Sequence, residues 1–267
     1  MSARLFVQVL RWQRVRLLVV LLAGIAWGAI MPVIYNAFSD VIRDLANSGA
    51  FPEEMLSIGS GSLFTLPGTI TLGLQHPMAL AMLGIFAVGA SATSIAGERA
   101  SGTLEVLLAR PISRTTLYAS ILAALLLAVL LVLAAILGGM VGSAAAVGLS
   151  DELDLAQMPL VLLNGFGLWA AFTTFGLAMS VSFDRPGPAI GLSLAWLLLH
   201  YFLEILGSLW TDVDWTQQFS LLHRFDPGAI LTGSLDPIDL VIVFTAALVP
   251  LVYALVVFPR RDLAAPS

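Results

Sequence analysis

The chain has 267 residues, of which 59% are apolar and 11% charged, with a formal net charge of −5. So little charge cannot cover a water-soluble domain, where roughly 25% is usual, and a net negative chain offers no basic face for nucleic acid. The absence of Cys excludes disulfides, thiolate metal sites and cysteine nucleophiles, and all twelve basic residues are Arg.

Residues 2–16 have helical periodicity. Arg4, Gln8, Arg11 and Arg14 share one arc, and Leu5, Phe6, Val9, Leu10 and Trp12 fill the rest. That pattern suits a helix lying in the membrane interface with its Arg side chains among headgroups. The alternative is that it simply extends the first span. It does not read as a cleavable signal, because the uncharged stretch after Arg16 is too long and shows no clear cleavage site.

A hydrocarbon core about 30 Å thick needs about 20 mostly apolar residues in a helix, since every backbone polar group must be satisfied internally. Six such spans are predicted, at about 17–35, 77–96, 115–147, 159–182, 189–210 and 239–258. The second is placed late because the first half of the uncharged stretch 55–97 is rich in Gly, Ser and Thr. Six spans put both termini on one side, together with Arg4, Arg11, Arg14, Arg16, Arg99, Arg110, Arg114, Arg185, Arg260 and Arg261. Only Arg43 and Arg224 fall on the other, where most of the acidic residues collect, so both termini are expected in the cytoplasm. The fold expected is all-α: one polytopic transmembrane domain over 1–267, a multi-pass protein of the cell membrane.

Two loops on the outer side are long. In 36–76 a short polar helix is predicted around Asp40–Asn47, followed by the Gly/Ser/Thr-rich run Ser57–Gly73. In 211–238, Trp215, Phe219 and Leu222 recur at i, i+4 and i+7 before breaks at Asp226-Pro227 and Asp236-Pro237, which predicts a short interfacial or re-entrant helix. Trp210 and Trp215 fit an aromatic belt.

The inner connector between spans two and three reads GERASGTLEVLLARPISR from Gly97 to Arg114. It is predicted as one short helix over about 97–110. Leu104, Leu107 and Leu108 would form an apolar face extended by Ala100, and Glu98 and Glu105, seven residues apart, would share another. Pro111 biases Arg110 away from the helical region and ends the element. By itself this could be a solvated connector that merely satisfies the charge bias.

The run E-R-x-x-G-T-L-E-x-L-L-x-x-P-[IV]-S-R, closing a second span and opening a third, resembles the ABC-2-type permeases of ABC transporters. The resemblance implies that Glu98, Arg99, Gly102, Thr103, Leu104 and Glu105 form a coupling helix seated in a groove of a separate nucleotide-binding ATPase subunit. Arg110, Pro111 and Arg114 would hold its membrane end. It also implies a pair of permeases, more readily two copies of one chain than two different chains, and export by alternating access. ATP and Mg would then sit on the partner, consistent with the lack of G-x-x-x-x-G-K-[ST] here; no cofactor or metal is expected in this chain.

Glu204 is the only carboxylate in the interior of a predicted span, Asp239 standing at the first residue of the last, and His200 lies one turn before Glu204 on the same face. Intramembrane ionisable groups face a bundle interior or a wet cavity, so the pair is a candidate for a substrate cavity or a dimer seam, or else a buried structural hydrogen bond. Gly24/Gly28, Gly138/Gly142 and Gly187/Gly191 have the spacing that permits close helix approach. The resemblance makes Gly24 and Gly28 the dimer-seam candidates, because it implies pairing through spans one and five. His76, His200 and His223 are scattered and make no metal site. The turn Phe183–Pro188 is explained by its own turn chemistry, with a second contact to the ATPase as the alternative. No H-E-x-x-H or G-x-S-x-G occurs, which argues against an intramembrane enzyme. A mechanical role without cargo stays an alternative to transport. The charge-poor interior suits a hydrophobic drug or lipid better than a highly charged cargo.

Overall fold

A computed structural model describes residues 1–48, 57–58, 61–62, 65–109 and 111–261. Apart from a two-residue antiparallel ribbon, Ser57–Ile58 with Gly61–Ser62, the described residues form helices and their connections. The long helices are α1 (Ala3–Asn47), α7 (Arg114–Ala146), α8 (Met158–Ser182), α9 (Pro186–Leu209) and α11 (Pro237–Arg260). All five are long and apolar enough to cross a membrane. A bent pair, α2 (Leu66–Gln75) meeting the rod Pro77–Thr93 at 48°, passes the same test only with its two halves taken together, as a broken span or a re-entrant loop. That rod comprises α3 (Pro77–Gly84), a π-helical turn (Ile85–Ala90) and α4 (Ser91–Thr93). Shorter elements are α5 (Ala96–Ala100), α6 (Thr103–Leu108) and α10 (Pro227–Leu231).

Helix starts follow a repeated local rule, in which a capping side chain precedes a proline whose missing N–H costs nothing in the first turn. Asp236 accepts from the Ile238 N–H at 2.9 Å ahead of Pro237, and Asp226 accepts from the Ala229 N–H at 2.9 Å ahead of Pro227. Thr65 accepts from the Gly68 N–H at 3.2 Å, with Pro67 in the first turn. Ser113 caps α7 through the Thr116 N–H at 3.1 Å.

The last four spans agree with the sequence limits to within three residues. The first two do not. Residues 2–16 form no separate interfacial helix: α1 runs unbroken through them and on to Asn47. No Gly or Pro stands between Ala3 and Leu22 to interrupt it. The polar helix expected around Asp40–Asn47 is the far end of this rod. The second span begins at Leu66 rather than 77. Its Gly and Thr residues hide an apolar stripe, Leu66, Ile70 and Leu74, that is fully buried. The Thr69 and Thr71 hydroxyls donate back to Thr65 O and Pro67 O, both at 3.0 Å, so their polarity is satisfied within the helix.

α8 is the central strut. Its apolar window is 72% buried, against 28% for α1 and 17% for α11. α1 packs along α7 and α11 along α8, leaving side chains such as Leu22, Val33, Leu248 and Val252 for lipid. Both ends of the described chain lie at one end of the bundle. The Ser2 N–H donates to Ser120 Oγ at 2.9 Å, and Arg114 Nη1 donates to Arg261 O at 2.6 Å. At the other end Tyr35 Oη donates to Glu152 Oε2 at 2.9 Å, and Gln75 Nε2 donates to Phe225 O at 2.8 Å.

Candidate functional site

The connector is not one helix but two, α5 and α6, with Gly102 between them at φ 72°. A left-handed residue resets the helical phase, and glycine takes that conformation without a Cβ clash. Glu98 and Glu105 therefore do not share a face. Glu98 turns toward Trp12 and Thr103, whose Oγ1 donates to Glu98 Oε2. Glu105 lines a small cavity with Arg99, Leu108 and Arg114. Ala100 is exposed and adds nothing to the apolar face, whereas Leu104 is buried at 2% exposure and Leu107 and Leu108 are half-buried.

The base of the connector is held from beneath. Ser180 Oγ, on α8, accepts from the Ile95 and Ala96 N–H groups, both at 2.9 Å, satisfying donors that a helix start leaves free. Arg99 Nη1 meets Asp184 Oδ1 at 3.0 Å, with the Arg99 side chain only 11% exposed. Asp184 lies in the turn between α8 and α9 and also receives Arg261 Nη2. Arg261 in turn donates to Val181 O. Arg114 Nη1 donates to Phe258 O at 3.2 Å, Pro259 O at 3.3 Å and Arg261 O at 2.6 Å. A guanidinium there neutralises the carbonyl-rich C-terminus of α11.

One carboxylate and three Arg residues thus join four elements. The sequence motif supplied Arg99 and Arg114; Asp184 and Arg261 were missed. Asp184 sat in a turn that needed no further explanation, and Arg261 had been counted only as a positive charge.

The tip of the connector is free. Ser101, Gly102, Thr103, Glu105 and Val106 are exposed, and Val106 is bare to 66%. Val106 lies outside the apolar face expected from the sequence, which comprised Leu104, Leu107, Leu108 and Ala100. Pro111 lines a large cavity beside the connector, and Arg110 lies outside the described residues.

The intramembrane candidates are held by their own chain. His200 and Glu204 are buried on α9, and the outer segment folds back over them. His200 Nδ1 accepts from the Leu221 N–H at 3.1 Å. Ser220 Oγ donates to His200 O at 2.8 Å. Glu204 Oε1 receives Gln217 Nε2 at 3.3 Å and faces His223 Nδ1 at 3.4 Å. That carboxylate raises the His223 pKa, through its hydrogen bond first and its charge second. The short helix expected in 211–238 appears as 3₁₀ turns, Thr211–Phe219 and Leu222–Arg224, followed by α10.

Gly24 and Gly28 do not face a dimer seam: they face α7 of the same chain. A Cβ on Gly28 would stand 2.0 Å from Ile136 O, and one on Gly139 would stand 2.3 Å from Ile25 O. The two backbones touch, which explains the glycines completely. Gly138, Gly142, Gly187 and Gly191 have open space where a Cβ would be. Among the described residues no group of His, Asp and Glu could hold a metal ion.

Comparison with known families matches residues 6–263 to a model described as ABC-2 family transporter protein. No curated protein and no solved structure matches the chain.

Proposed function

The chain belongs to the ABC-2 family of transporter proteins, and on that premise we propose that it is the permease half of an exporter in the cell membrane, driven by a separate ATPase. Membership makes it a multi-pass membrane subunit that associates with an ATP-binding subunit. The finer reading places both termini in the cytoplasm, in keeping with ten Arg on that side. The connector then faces the ATPase, and a second copy of this chain completes the transport path.

The observation that carries this reading is the contrast within the connector. Its base is anchored through Ser180, Asp184 and α11, while its tip presents Glu105 and Val106 to solvent. A partner that closes on ATP and Mg would grip the tip, and the anchored base would pass the displacement to α8, α9 and α11. Export by alternating access follows when two such connectors are drawn together. The roles proposed are docking for Gly102, Thr103, Glu105 and Val106, and transmission for Arg99, Leu104 and Arg114. Glu98 orders the bend through Thr103.

The test is reconstitution with the ATPase of the same operon or genome. Glu105→Ala is expected to lower ATP turnover of the assembled complex while the bundle keeps its melting temperature. Unchanged turnover and unchanged transport in that variant remove the connector from the coupling role.

A further inference from the structure

A cavity of about 740 Å³ opens between the first turns of α1, the end of α4, the connector and the first turns of α7. It falls within the size of small-molecule sites. One wall is aliphatic, built from Leu5, Val9, Leu117 and Ile121; the rim carries Arg4 and Glu98. The Ser2 N–H bond to Ser120 Oγ pins α1 against α7 and holds the two walls in place.

The lining is amphipathic and carries opposite charges that do not meet. Neither Arg4 nor Glu98 takes part in an ion pair among the described residues; the Glu98 carboxylate accepts only from Thr103 Oγ1. Trp12 stands beside Glu98 in this cavity and in the smaller one next to it. A cation between an indole face and a carboxylate gains from both, and a guanidinium forks onto phosphate oxygens. The cavity adjoins the predicted starts of spans one and three, at residues 17 and 115, so its aliphatic wall suits acyl chains.

We propose that this cavity binds a phospholipid whose headgroup carries both phosphate and ammonium, with Arg4 on the phosphate, Glu98 and Trp12 on the ammonium, and the chains along Leu5, Val9, Leu117 and Ile121. The bound lipid would contact the connector through Glu98 and Leu107, making the surrounding bilayer a participant in how that element sits. The inference is independent of export and of the ATPase.

Native mass spectrometry of the full chain in detergent, supplied with phosphatidylethanolamine or phosphatidylglycerol, tests it. The native chain is expected to retain the ethanolamine lipid in preference. Arg4→Ala is expected to lower retention of both lipids roughly tenfold or more, the loss of one charge-assisted hydrogen bond. Glu98→Gln should remove the preference between them. Gln8→Trp fills the cavity while keeping both charged residues and should displace both lipids, with melting temperatures recorded to identify any variant that fails to fold. Glycerophosphoethanolamine, the same headgroup without chains, should not compete. Equal retention of the two lipids by the native chain overturns the proposal. So does retention unaffected by all three substitutions, or displacement by the chainless headgroup.

Discussion

Arg99 and Asp184 lie 3.0 Å apart across the gap between the connector and the turn joining α8 to α9. The arginine is almost buried and the aspartate is 55% exposed, so the pair is half in water. Removing the carboxylate takes one ion-pair partner from Arg99 and from Arg261 together. Asp184→Ala is expected to cost about 1–2 kcal/mol, below the value of a fully buried pair because of that exposure. Thermal unfolding in detergent measures the loss. In the assembled transporter the same variant should keep the ATPase bound yet move less cargo per ATP; an unaltered ratio would show that the clamp transmits nothing.

Val106 tests the tip. Val106→Asp replaces an exposed aliphatic with a charge, so the fold should be unaffected, within about 0.5 kcal/mol. Co-purification of the ATPase should fall sharply. Full recovery of the partner at native yield would place the docking surface elsewhere.

Gly28 measures the helix contact. Gly28→Ala drives a Cβ into Ile136 O and is expected to destabilise by about 1–3 kcal/mol. Gly138→Ala meets open space and should be neutral or stabilising by up to about 1 kcal/mol. If the pair of variants melts alike, α1 and α7 are not in the contact described.

The outer segment should respond to pH through His223. Its pKa is raised above 6.5 by Glu204, so the contribution is fully present below about 6.5 and lost as pH rises through the raised value. Arg224 acts against protonation and Asp239 in favour. Protection of the Leu221 and Leu222 amides, corrected for the intrinsic pH dependence of exchange, should therefore fall as pH rises above about 6.5. His223→Gln should flatten that profile. A slope that persists in the variant assigns the effect to another group.

Much of this fold was legible because lipid imposes a simple rule on sequence. Four spans, from Arg114 to Arg260, declare themselves by unbroken apolar length. The rule fails where polarity is satisfied locally: Thr69 and Thr71 bond their own helix, so α2 looked like loop. It fails again where continuity matters more than pattern, as in the Arg-rich start of α1. At the connector the motif singled out the eighteen residues Gly97–Arg114. It could not reveal that Gly102 turns left-handed, nor that the acid holding Arg99 stands 85 positions away in another turn. Such pairings depend on how helices pack, and helix spacing along the chain carries no trace of them.

α1 stays a single helix although Pro32 lies inside it. From Trp12, beside the connector, to Tyr35, bonded to Glu152, it covers about 35 Å at 1.5 Å per residue. Nearer its Tyr35 end the Trp27 indole N–H is fastened to Gly73 O at 2.9 Å. A beam gripped at one point along its length behaves as a seesaw. A small sideways push near Trp12 would emerge at Tyr35 with the opposite sense, and the far rim of the bundle would learn of events at the near rim without any signal crossing its core.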